Sequence, residues 1–499
     1  MFLVVLITTL LIVLTINQYK KYKQYPPGPF PLPIIGNIHE LAYHVWRSKR
    51  MVWALNYYRE QYGDIFTLWI GPFPYVSIAD YETAHEVFVK NGKKYKDRLM
   101  APILESSSEG HGLFNANGEE WEEMRRFTLL AFRSLGVGRD LMEKRTMDEL
   151  DRRCAQIDKE AVNGKSVVWM SKLFDLTVGS VLNKVLIGKR FDDENTEEYL
   201  SVKQISDSSA GTNTLFDTTV SVWLLKRFFS SRFRTTTAAR SGIVDFVADE
   251  VNRRYRAVQE GTHSANWDEP EDFVDAFIAK MEMEKERDGT NVYSLDGLKV
   301  LLLDLWQAGQ STTSTTLKAG FNHLASHPEV VSRVRHELLR ITQGGSRPLA
   351  LLDRPNTPYL NATIAEIQRH ASLLNVNYWR ITHEPVEIKG FHVDSGSIIC
   401  AQLSCYHAND TIFKDPSEFK PERFLENEKL ISQLIPFGIG KRSCVGENVA
   451  RTQLYLILGN LLLRYDFKVL GPTPTVFDSV PYSFNRIPDT SVKMEFTKL

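Results

Sequence analysis

Cysteine is scarce in this chain. Four occur in 499 residues, Cys154, Cys400, Cys405 and Cys444. That is too few, too unevenly spaced, for a disulfide framework. No CxxC pair and no HExxH motif is present, which removes the common zinc sites. Charge of one sign is lacking too. Sixty basic residues face 61 acidic ones, for a net charge of −1. No overall positive field exists to draw in a phosphate backbone, so a sequence-independent nucleic-acid binder is excluded. There is no internal repeat, no low-complexity domain and no glycine-rich dinucleotide motif. Long apolar runs are missing beyond the N-terminus, and the mean hydropathy of −0.25 is too polar for a multi-span membrane protein. What remains is a globular composition, 43% hydrophobic and 24% charged, with a core of ordinary proportions.

The N-terminus is the exception. Phe2 to Ile16 is apolar apart from Thr8, Thr9 and Thr15. As a helix the first 16 residues reach about 24 Å, a little short of a hydrocarbon core of roughly 30 Å. Tyr19, Tyr22 and Tyr25, with Lys20, Lys21 and Lys23, follow on one side. The start carries no basic side chain and the exit has no small-x-small cleavage pattern, which favours a retained anchor over a signal peptide. The lysines hold their side in the cytosol. Residues 26–33 (PPGPFPLP) form a stiff, extended spacer. The expected organisation is an anchor over 1–19, a basic and proline-rich hinge over 20–33, and one catalytic domain over 34–499.

Helical patterns dominate from Trp46 onward. A strand pair is expected at Ile65–Trp69 and Tyr75–Ile78 about the Gly71-Pro72 turn. Trp223, Leu224, Leu225, Phe228 and Phe229 sit beside Lys226 and Arg227, a pattern that suits either a membrane surface or buried packing. A helix of unusual length is expected from Ser294 to Ala325. Its middle, Ala308-Gly309-Gln310-Ser311-Thr312-Thr313, works against helix propensity. Such a break marks either close approach of a ligand or a kink packed against neighbours.

The strongest signal is Pro436-Phe437-Gly438-Ile439-Gly440-Lys441-Arg442-Ser443-Cys444-Val445-Gly446, followed by an apolar-periodic helix from Glu447 to Leu463. Cys444 therefore stands on a tight turn at a helix N-terminus, where free N–H groups and the dipole stabilise a thiolate. The glycines allow a flat ligand to come close, and Phe437 can cover its ring.

This segment resembles the cytochrome P450 signature Phe-x-x-Gly-x-Arg-x-Cys-x-Gly at Phe437, Gly440, Arg442, Cys444 and Gly446. Glu366–Arg369 resembles the family's Glu-x-x-Arg helix, Pro421-Glu422-Arg423-Phe424 its Pro-Glu-Arg-Phe element, and Trp121–Arg125 its Trp-x-x-x-Arg helix. The resemblance runs from Pro26 to about Arg486. The anchor and hinge, with Asp272–Phe277, are similar to the microsomal, drug-metabolising branch. It implies a mainly helical fold with a small β-rich part, and heme b held by Cys444 through iron. It implies heme-propionate contacts from Arg98, Trp121, Arg125, Arg380 and Arg442, which suits arginine–carboxylate geometry. Glu366, Arg369 and Arg423 would brace the core as a charge triad. The implied activity is monooxygenation of a small lipophilic substrate (xenobiotic, fatty acid or steroid) with O2. Electrons would come from NADPH–cytochrome P450 reductase docked near Cys444, where Lys441 is a candidate cation, with cytochrome b5 as a further possible donor. The address would be the endoplasmic reticulum membrane. Substrate-wall positions implied are Ile103, Leu113, Phe114, Asp304, Ala308, 371–376 and 482–484.

One position departs from the pattern. Where the family has an acid before the conserved threonine, this chain has Ser311, followed by Thr312. The two are the implied catalytic pair of a proton relay. A hydroxyl delivers protons poorly without bridging water. Oxygenation through Thr312 and water is one expectation; a reductase-independent hydroperoxide isomerase or dehydratase is the other.

Overall fold

The computed structural model describes residues 2–48, 50–99, 102–108, 110–138, 140–191, 196–210, 220–285, 292–471 and 492–499. Within these residues the chain is mainly helical, with three small sheets.

The expected hairpin forms as Ile65–Ile70 and Phe73–Ile78, antiparallel, with Ile65 opposite Ile78. Phe73–Ile78 then pairs in parallel with Ile398–Ala401, which pairs antiparallel with Arg380–Ile381. Every residue of Ile398–Ala401 is buried, the mark of a central strand covered on both faces. The sheet thus joins chain segments some three hundred residues apart, and it fixes Arg380 beside Arg98 through an isolated bridge. Cys400 and Cys405 are buried in this region, as small hydrophobes.

The long helix spans Leu295–Ala325, 31 residues. The Ser294 hydroxyl accepts a 3.0 Å hydrogen bond from the Gly297 N–H and caps it. It runs through the centre of the molecule, packed on Met170–Ile187, Ser230–Gln259, Pro358–Ala371 and Glu447–Arg464. The propensity-breaking residues have packing reasons. A Cβ on Gly309 would lie 2.6 Å from a Leu182 methyl, and one on Gly320 2.9 Å from Ile367. The Ser314 and Thr316 hydroxyls donate to the carbonyls of Gln310 and Thr312, one turn back. So the glycine at 309 serves helix–helix contact with Leu182.

The N-terminal residues Phe2–Tyr22 are helical, and the Tyr22 hydroxyl donates to the Gly28 carbonyl at 2.7 Å, tying this helix to the proline-rich segment. Six side chains of that helix lie outside the described set. Among the described residues, no helix is long and apolar enough to cross a membrane. The aromatic cluster of Val222–Phe228 divides by face. Leu225 is buried, while Trp223, Leu224, Phe228 and Phe229 are exposed.

The charge triad is assembled in full. Arg369 donates to both Glu366 oxygens, at 2.8 and 2.9 Å, and Arg423 Nε to one of them at 3.0 Å. Both guanidinium groups also donate to carbonyls, Arg369 to His407, Pro416 and Glu418, and Arg423 to Asp415 and Glu418. All three side chains are buried. The triad therefore pins the 407–423 loops, which lead to the Cys444 segment, onto the Pro358–Ala371 helix. Burial would raise the Glu366 carboxyl, but hydrogen bonds from Arg369 and His370 override it and hold it at about 2. Because the native value lies below the ordinary one near 4.3, this contribution is full above that value and drains away as pH falls toward 2. Glu366→Gln leaves two buried guanidinium groups without their counter-charge. We expect it to cost about 3–5 kcal/mol in urea unfolding of the holoprotein and to flatten the acid limb of the stability–pH curve. An unchanged acid limb would contradict this account.

Candidate cofactor centre

The Cys444 loop is built on its own backbone. The Cys444 N–H donates to the Phe437 carbonyl, Gly438 N–H to Ile435, and Ser443 N–H to Gly440, each at 3.0 Å. Gly440 adopts φ +81°, and a Cβ there would lie 2.0 Å from the Phe88 carbonyl oxygen, so only glycine fits. The loop runs into the Glu447–Arg464 helix. Cys444 is exposed, whereas the other three cysteines are buried. Its thiol differs from the sequence reading in one respect. The surrounding protein mass raises its pKa, the Gly446 N–H and Arg125 lower it, Glu447 raises it, and the net direction is upward. The turn geometry is as expected, but the helix start alone does not yield a thiolate. A bound metal ion would.

A second exposed surface lies in the long helix. Leu301–Trp306 and Thr313–Gly320 are buried, yet Ala308 and Thr312, one turn apart on one face, are exposed. The Thr312 hydroxyl donates to the Ala308 carbonyl at 2.8 Å. Ser311 is half-buried, one position round the helix.

Around the cysteine loop the arginines converge. Arg125, on the Gly118–Ser134 helix, donates to the Ser443 carbonyl at 2.8 Å and to its hydroxyl at 3.4 Å. Trp121, one turn earlier, offers its ring to two cations, Arg442 at 3.7 Å and Arg125 at 5.9 Å from its centroid. Arg442 is collared by acceptors: the carbonyls of Lys96, Leu113 and Ala116, and Asn117 Oδ1, at 2.7 to 3.2 Å. These bonds use four of its five N–H groups. Arg98 donates to the Phe114 carbonyl at 2.8 Å and lies over the Phe114 and Tyr378 rings. Arg98 Nε and Arg380 Nη1 are buried without a hydrogen-bond partner. Burial, then mutual repulsion, lowers Arg442 to about 8 and carries Arg380 well below its ordinary value, while burial lowers Arg98 to about 10.

Among the described residues, none of Arg98, Arg125, Arg380 and Arg442 forms an ion pair with a carboxylate. Buried cations without counter-ions are costly. Orphaned N–H groups from Arg98 and Arg380 fit a ligand that brings its own carboxylates. Among the described residues, no group of three or more His, Cys, Asp or Glu could hold a metal. The donor set thus suits one exposed sulfur and a metal that arrives inside an anionic macrocycle, and heme meets both demands. Phe437, half-buried and under the Arg451 guanidinium at 4.8 Å, flanks the loop.

Other expected positions divide. Ile103 and Leu113 are buried and Phe114 is half-buried. Asp304 also acts as a tie: its Oδ2 accepts the N–H groups of Leu113 and Phe114, each at 2.8 Å. Gly112, at φ +94°, makes room for it, since a Cβ there would lie 2.4 Å from that oxygen. Ala371 is buried against Ala319, and Val376 packs in the sheet-side core. Positions 482–484 lie outside the described residues. Sequence reading missed Asn117. Its side chain accepts from the Arg98 N–H and from Arg442, and donates to the Arg98 carbonyl. It couples two of the arginines, and no motif marks it. If the arginines hold a ligand's carboxylates, Arg380→Leu should speed heme transfer from the holoprotein to apomyoglobin by about tenfold. An unchanged rate would contradict that role.

The comparisons with known proteins agree with this geometry. The family model for cytochrome P450 matches residues 26–489. The chain is 52% identical to a probable cytochrome P450 cyp-35D1 of Caenorhabditis elegans, over 100% of both chains. It is 31% identical to cytochrome P450 2C70 of Rattus norvegicus, over 93% of this chain and 92% of the relative. It is 30% identical to cytochrome P450 2J5 of Mus musculus, over 93% and 90%. Fold, cysteine loop and similarity across nearly the whole length lead to one assignment: the chain belongs to the cytochrome P450 family, the heme-thiolate monooxygenases.

Proposed function

We propose that the protein inserts one oxygen atom of O2 into a small lipophilic substrate and sends the other to water, drawing electrons from NADPH through cytochrome P450 reductase. The observation that carries this reading is the cluster of arginines without counter-ions around an exposed Cys444. In this reading Cys444 is the iron ligand. Arg98, Trp121, Arg125, Arg380 and Arg442 hold the propionates of heme b, and Phe437 covers one face. The bound heme supplies oxygen activation. The chain supplies position and protons.

Thr312 is the proton-handling group, on the exposed face with Ala308. Its hydroxyl donates to a carbonyl within the helix and keeps its oxygen as an acceptor for a proton-bearing water. Ser311 neighbours it without an ionisable group, so water must carry the proton that an acid would otherwise relay.

The reductase face would be the outer side of the Gly118–Ser134 helix, next to the Ser443 contact of Arg125. The Arg126 side chain is exposed there, as are Arg133 and Lys441, and an acidic partner is steered by such cations. Cytochrome b5 would meet the same face. Residues 1–19 are the proposed anchor in the endoplasmic reticulum membrane and 20–33 the hinge. The exposed Trp223, Leu224, Phe228 and Phe229 beside Lys226 and Arg227 suit a second contact with lipid.

Ser311 also favours a second reading, a hydroperoxide isomerase or dehydratase that needs no reductase. Coupling stoichiometry separates the two. With reductase, NADPH and a panel of lipids and xenobiotics, we expect oxygenated product as the main sink of NADPH. Ser311→Glu should change coupling by less than about twofold, and Thr312→Ala should lower it by about tenfold in favour of hydrogen peroxide. NADPH drained to peroxide in the wild type and rescued by Ser311→Glu would contradict the water relay. Turnover of hydroperoxides with no reductase would support the second reading.

A further inference from the structure

Arg380 and Arg442 near Cys444 do not exhaust the buried arginines. Arg240 lies on the Ser230–Gln259 helix, which packs against the long helix and against Pro102–Ser108. It is 6% exposed. Among the described residues, none accepts a hydrogen bond from its Nε or Nη2. Thr236, one turn earlier on the same face, is also buried, and its Oγ1 has no hydrogen-bond partner either. Two side chains four residues apart thus bring unpartnered polar atoms to one spot.

The acidic group that Arg240 feels is Asp304. The two interact through space, yet they form no ion pair within 4 Å among those described. The Asp304 Oδ2 is already committed to the Leu113 and Phe114 N–H groups. Asp304 therefore offsets the charge of Arg240 without satisfying its N–H donors. Leaving a buried guanidinium with orphaned donors costs stability unless something fills them. The helix that carries it packs on elements of the expected substrate wall: Pro102–Ser108, which holds Ile103, and the long helix, where Asp304, Ala308 and Thr312 follow at four-residue steps on one stripe.

We propose that Arg240, with Thr236, clamps the carboxylate of a lipophilic acid, so that the preferred substrates are aliphatic acids and not neutral molecules of equal length. The proposal rests on the monooxygenase reading and names its substrate class. Arg240 supplies a charge-assisted pair of N–H donors and the Thr236 hydroxyl a third. Asp304 repels the incoming carboxylate and, tied to the 113–114 backbone, keeps the clamp from closing on itself. The geometry also sets where oxygen enters. Asp304, which marks the level of the clamp, and Thr312 are eight residues apart, a rise of about 12 Å along the helix. An acid held at that level presents carbons far from its carboxylate to the Thr312 end.

The test uses the heme-loaded, full-length protein and three probes: dodecanoic acid, its methyl ester and dodecanol. Binding is read from the Soret shift, and the thiolate-ligated ferrous–CO spectrum checks each variant. We expect the acid to bind the wild type at least about tenfold more tightly than the ester or the alcohol. Arg240→Leu should remove that preference and leave ester affinity within about twofold. Arg240→Lys should keep part of it and Thr236→Val should lose about threefold for the acid alone, so the milder pair serves if Arg240→Leu does not fold. Asp304→Asn should strengthen acid binding. Hydroxylated products should carry oxygen toward the methyl end. Equal affinity for acid and ester in the wild type, or parallel loss of both in Arg240→Leu, would overturn the proposal. A wild type without the thiolate spectrum would instead strike at the heme-thiolate reading beneath it.

Discussion

Unpaired buried guanidinium is the constraint around which this molecule is arranged. Arg442 shows how the fold meets it. Its acceptors come from residues 96, 113, 116 and 117, while Arg442 itself belongs to the Cys444 loop, more than three hundred residues later. The same bonds that neutralise its donors therefore fasten the cysteine loop to the segment that precedes the Gly118–Ser134 helix. Arg125 closes the link from the other side through Ser443. Where the protein runs out of acceptors, at Arg98 Nε and Arg380 Nη1, the proposed function has a ligand's carboxylates complete the set. Stability and cofactor capture are thus one electrostatic problem.

Glu366 is the complementary solution. There the protein supplies the counter-charge itself, with both oxygens bonded and the surrounding carbonyls spoken for. Every guanidinium nitrogen there has an acceptor within the protein, which fits a brace. The contrast frames the proposals: satisfied buried charges hold loops in place, and unsatisfied arginines are where a ligand is proposed to bind. Applied to Arg240, the contrast points to substrate.

Much of this was legible in sequence because the chemistry demands particular residues at fixed spacing. Gly440 fits because the Phe88 carbonyl leaves no room for a Cβ, and Glu366–Arg369 spacing puts acid and base on one helix face. The long helix was legible from its helical pattern, and its Ser294 cap came only with the structure. What sequence could not give was contact between distant segments. Asn117 and Arg240 sit in no motif, and their meaning comes from which acceptors surround them. Asp304 was expected as pocket lining, and the structure adds that its oxygen ties a loop 190 residues upstream. Gly309 left open either a ligand's approach or packing against neighbours, and it is a seat for Leu182. The thiol of Cys444 was expected to be favoured as thiolate by a helix start, and the surrounding protein mass outweighs that field.

The central claim is that a single sulfur, that of Cys444, ligates the iron. X-ray absorption at the iron edge of the heme-loaded protein tests it most directly. The account predicts one sulfur neighbour in the wild type and in Cys154→Ala, Cys400→Ala and Cys405→Ala, and none in Cys444→Ala. A sulfur neighbour that persists in Cys444→Ala would contradict it.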